Sequence, residues 1–116
     1  MINRAALILK YKMPAVKWIN KADPYSNNPG ITLESVNEDR TVYLIRDEEA
    51  DTPNDLNNWV KLNLDVLFEN ELNGWYTDES LWPKKRNISL FYEWFDLECH
   101  TMIVDTLGTP IEDDET

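Results

Sequence analysis

The stretch spanning residues 52–76 (TPNDLNNWVKLNLDVLFENELNGWY) constrains this chain most. It predicts one long helix. Thr52 suits the N-cap, Pro53 the first helical position, and Asp55 puts a carboxylate in the first turn. Asn73-Gly74 marks the end, with glycine free to take the left-handed capping conformation. At ~100° per residue, Leu56, Trp59, Val60, Leu64, Val66, Leu67, Phe68 and Leu72 fall on one broad arc. An arc that wide suits a helix lying across a sheet. Glu71 disobeys, because it projects among Val60, Leu64 and Leu67. Either it reaches water or a cation from near the helix end, or it is a buried carboxylate poised for chemistry or ligand binding.

The rest of the chain reads as material for that helix to pack on. Residues 4–12 (RAALILKYK) read as a strand, and the run Ala5 to Leu9 predicts burial on both faces and a central place in the sheet. Pro14 opens a short helix to about Ala22, with Ala15, Trp18, Ile19 and Ala22 on one face. Residues 25–30 (YSNNPG) form a turn-rich loop, and Thr32 caps a helical turn through Val36. Residues 40–46 (RTVYLIR) read as a second strand and DEEAD at 47–51 as an acidic loop. Thr77 or Asp78 caps a single turn that brings Leu81 and Trp82 inward. Residues 87–95 (NISLFYEWF) and 97–105 (LECHTMIVD) read as third and fourth strands. The order β-α-β-α-β-β predicts an α+β domain over residues 1–106. Its sheet is four-stranded and mainly antiparallel, with two helices packed on one face. Residues 107–116 read as an acidic tail that frays.

With 116 residues and five tryptophans the chain is long enough for a real core, despite a net charge of −11. Residues 1–30 hold five cations against Asp23, a balance of +4, which leaves −15 for the remainder. Such a charge disfavours free nucleic acid and anionic membrane as partners. The single cysteine, Cys99, rules out an internal disulfide. No run is long enough for a signal peptide's apolar core or a bilayer span, so a reducing cytoplasm is the expected setting. The three isolated glycines give no phosphate-cradling or dinucleotide motif, and no cofactor is expected.

Two constellations carry chemistry. Asp96, Glu98 and His100 alternate along a strand, so they share a face at ~6.5–7 Å spacing. They read as the polar face of that strand or as half of a metal site, with His100 activated by a carboxylate. Cys99 points the other way and reads as a small buried hydrophobe. Trp75, Tyr76 and Trp82, beside Lys84, Lys85 and Arg86, read as a satellite core cluster or as a partly exposed interaction surface.

The segments WYTDESLWPKKR and FYEWFDLECHTMIVD, with the RAALILKY start, resemble a family of small uncharacterised bacterial proteins. The resemblance implies one domain in a bacterial cytoplasm and brings no activity, cofactor or catalytic residue. The residues themselves favour a non-enzymatic acidic protein-interaction module: an adaptor, inhibitor or regulator. A basic protein partner and a homodimer are both open to it. The alternative is a small enzyme or metal-dependent protein using His100 with Glu98 and Glu71, which requires His100 and Glu71 to converge.

Overall fold

In the computed structural model, residues 1–23 and 30–113 are described. Nearly all of the predicted 25–30 loop, and the last residues of the tail, lie outside them. Strand β1 (Arg4–Tyr11) alternates buried and less buried side chains along its length. Ala5, Leu7, Leu9 and Tyr11 form its covered face. It pairs antiparallel with β2 (Val42–Arg46) on one side and β3 (Phe95–His100) on the other. The sheet among the described residues is therefore three-stranded, in the order β2-β1-β3. β1 is central as expected, but Ala6 and Ile8 are only half-buried, so one face of the sheet is packed and the expected burial on both faces is not found.

The expected four-stranded sheet with two helices is corrected at two places. Residues 87–95 are not a strand: helix α5 (Ile88–Trp94) occupies them and passes directly into β3. Asn87 decides this, because its side chain accepts from the Leu90 N–H at 2.9 Å and so starts a helix. Phe91 and Trp94, three residues apart, then fall on the buried side. A short run of aromatic and branched residues serves a strand or a helix equally well, and the cap breaks the tie.

The second correction concerns the long helix, which is two: α3 (Pro53–Leu62) and α4 (Leu64–Trp75). Asn63 interrupts it. Its Nδ2 donates to the Trp59 carbonyl at 2.9 Å, competing with the helical ladder. The expected start holds, since Thr52 accepts from the Asp55 N–H at 3.1 Å. The expected end does not. α4 runs through Gly74, and the only positive φ among the described residues is at Gly30, at 86°. There a Cβ would lie 2.7 Å from Asn20 Oδ1, so only glycine fits. Asn20 in turn grips Ile31, accepting from its N–H at 2.7 Å and donating to its carbonyl at 2.9 Å.

Helix α1 (Met13–Ala22) and the single turn α2 (Leu33–Val36) complete the layer, with Thr32 and Ser35 forming a capping box. All the helices bury side chains into one core against the covered sheet face. Phe68 sits at its centre, in edge contact with Phe91, Trp94 and Phe95. No helix among the described residues is long and apolar enough to cross a membrane.

The α4 phase can be checked by substitution. Leu67 is fully enclosed while neighbouring Val66, expected on the apolar arc, is exposed. Leu67→Ala should cost ~2–5 kcal/mol in urea unfolding, and Val66→Ala less than about 0.5 kcal/mol. Equal losses at the two positions would contradict this packing.

Candidate functional site

Helix α4 carries Leu67, Phe68, Glu71 and Leu72 on its inner face, so Glu71 enters the core with them. It is 9 % exposed. A carboxylate at that depth needs hydrogen-bond donors or a cation. The sheet supplies donors. Tyr11 of β1 donates to Oε1 at 2.8 Å, and Tyr43 of β2 donates to Oε2 through a short hydrogen bond. Each hydroxyl is itself held: Trp75 Nε1 donates to Tyr11 at 2.9 Å, and Asn70 Nδ2 to Tyr43 at 2.8 Å. Among the described residues no ion pair reaches Glu71. The carboxylate is therefore compensated by two hydroxyl donors, each backed by one further donor, rather than by an ion pair.

Burial, then the nearby Glu71 charge, pushes the Tyr11 hydroxyl well above its ordinary pKa of 10.0. Burial and the hydrogen bond to Glu71 do the same for Tyr43. Both hydroxyls thus stay protonated as donors far into the alkaline range. A cavity of about 180 Å³, walled by Val36, Arg40 and Trp75, opens beside the cluster. With both oxygens engaged, Glu71 is a held carboxylate rather than a free base. Its physical effect is to fix α4 to two adjacent strands.

The Asp96, Glu98 and His100 stripe lies on the other side of the sheet. The register sets His100 against Ala6, Glu98 against Ile8 and Asp96 against Lys10, all on the open face. His100 Nε2 meets Glu98 Oε2 at 3.0 Å, and Arg40 approaches Glu98 Oε1 at 3.6 Å. The His100 hydrogen bond, helped by Arg40, lowers the Glu98 carboxyl below its usual range. Asp96 stands apart from the pair. No group of three histidine, cysteine or acidic side chains among the described residues is placed to hold a metal ion. Cys99 faces the core, where burial raises its thiol pKa. Glu71 and His100 occupy opposite faces of the sheet, so no single site can use both.

The aromatic segment after α4 is tied inward. Trp82 is buried and donates to the Tyr76 carbonyl at 2.7 Å, and the Tyr76 hydroxyl donates to the Ile19 carbonyl of α1. Trp75 is spent on Tyr11. Arg86 lies over the Trp82 ring, 5.9 Å from its centroid, and donates to the Pro83 carbonyl. Lys84 and Lys85 are exposed.

No protein family, no curated protein and no solved structure matches the chain. The partners of Glu71 were missed in the sequence, although a signal existed: Tyr11 and Tyr43 both fall at core-facing strand positions, and a glutamate in an apolar arc requires such donors.

Tyr11→Phe removes one donor from Glu71 and the acceptor of the Trp75 N–H, so it should cost ~1–3 kcal/mol in urea unfolding. The pH dependence follows from the tyrosines. The folded chain keeps hydroxyl protons that the unfolded chain releases above pH 10.0. Their stabilisation is whole below that pH and declines as pH rises beyond it. The urea midpoint should hold steady up to about pH 9.5 and fall by about pH 11, less steeply in Tyr11→Phe. An unchanged midpoint across that window would contradict the assignment.

Proposed function

We propose that this chain is a non-enzymatic, acidic protein-interaction module that receives a protein partner on the open face of its sheet. One observation carries the reading: among the described residues no layer covers that face. Val42 and Leu44 are 52 % and 51 % exposed beside half-buried Ala6 and Ile8. Arg4, Arg46 and Lys10 stand around them on the same face. Apolar side chains gathered on one face and rimmed by charge are the usual character of a binding surface. At the β2 end this face runs into a cleft of about 710 Å³ that includes Leu44, Arg46, Trp59 and Leu62. With a charge of −11, association with any charged surface is salt-sensitive. The same reading keeps the protein in a bacterial cytoplasm, as an adaptor, inhibitor or regulator of what it binds.

The test is site-specific cross-linking in the cell. With a benzophenone side chain in place of Leu44, illumination should give a discrete protein adduct. The same group in place of exposed Asn58 on α3 should give none. Equal adducts at both positions, or none at Leu44, would overturn the proposal.

A further inference from the structure

We infer that the partner on the open sheet face is a second copy of this chain, whose C-terminal segment crosses it. This rests on the interaction reading above. Beyond β3, residues 101–113 form neither helix nor strand. The Ile2 N–H donates to the Ile103 carbonyl at 2.9 Å, which keeps the start of the segment beside the N-terminus. Past that point it becomes an arm. Met102, Val104, Leu107 and Ile111 are each 67 % exposed or more. The radius of gyration is 15.8 Å, against about 13 Å for a compact chain of this size. Four large apolar side chains along one projecting segment are costly unless something covers them.

Charge says what covers them. Residues 101–113 carry Asp105, Glu112 and Asp113 and no lysine or arginine. On its β1–β2 half the open face presents Arg4, Lys10 and Arg46 around apolar Ala6, Ile8, Val42 and Leu44, while acidic Asp96 and Glu98 stand on the β3 edge, Glu98 already held by His100 and Arg40. One molecule therefore holds both halves of a complementary pair. The arm leaves from β3, while the most exposed apolar residues of the face lie on β2, at the opposite edge. In its own chain the arm leaves them uncovered.

Ten extended residues reach ~30 Å, against a width of ~10 Å from the first to the third strand axis, so an arm can cross a neighbour's whole sheet. A two-fold arrangement makes the exchange reciprocal, with two identical arm-on-face contacts. An arm and a face from each copy together approach the 20–30 residues that a standard interface engages per partner.

The experiment is light scattering on the full chain at ~100 μM, a concentration that reveals even micromolar association. The wild type should show twice the monomer mass of 13.7 kDa. Leu107→Asp on the arm and Leu44→Asp on the face should each weaken dimerisation ~10-fold or more. Both positions are exposed, so folding should persist, as circular dichroism would verify. Mixing the two variants leaves one intact arm-on-face contact and should restore dimer that neither forms alone. A dimer indifferent to both substitutions would overturn the inference, as would a mixture that stays monomeric. A monomeric wild type that still yields adducts with foreign proteins at position 44 would overturn it and leave the interaction reading standing. A monomeric wild type with no adducts would remove both.

Discussion

The buried Glu71 carboxylate is the contact on which the arrangement of this fold depends. Apolar packing alone lets a helix slide or roll on a sheet at small cost, since many orientations bury similar area. Hydrogen bonds to Tyr11 and Tyr43 do not allow that freedom. They tie α4 to β1 and β2 together, and a shift of one residue would leave a carboxylate and two hydroxyls in the core without partners. The stabilisation from the cluster is modest, because each hydrogen bond replaces one to water. The penalty for any other arrangement is large. The cluster specifies one packing more than it strengthens it.

That single packing explains why one sheet face is crowded and the other open. Among the described residues the α-helices gather on the side where Leu7, Leu9, Tyr11, Phe95 and Tyr43 project. On the opposite side, side chains of both signs stand around a small apolar strip. The His100, Glu98 and Arg40 contacts there are exposed and screened, and contribute little to folding.

Much of the layer structure was legible in the sequence where local chemistry settles it. The Thr52 and Thr32 caps, the β1 and β2 segments and the short helix opened by Pro14 are all found. The misses share a cause. At residues 87–95 the apolar run has no clear period, and one asparagine cap outweighs its strand-like composition. At Asn63 a side-chain hydrogen bond breaks a helix whose apolar arc gives no warning. Glu71 stood out as anomalous, but its donors come from β1 and β2, 60 and 28 positions earlier in the chain. No local reading reaches that far. The open face was invisible because a run such as Ala5 to Leu9 looks the same whether one side or both are covered.

The place of β3 has a kinetic meaning. β1 is the middle strand, yet Ala6 waits for His100, 94 positions later, before its second edge is paired. Loop-closure entropy must be met before that pairing returns anything, so the sheet should complete slowly for a chain of this length. Until it does, the middle strand offers an unsatisfied edge to any passing chain. Proteins wired in this way are more exposed to misassembly during their own synthesis than their final stability suggests.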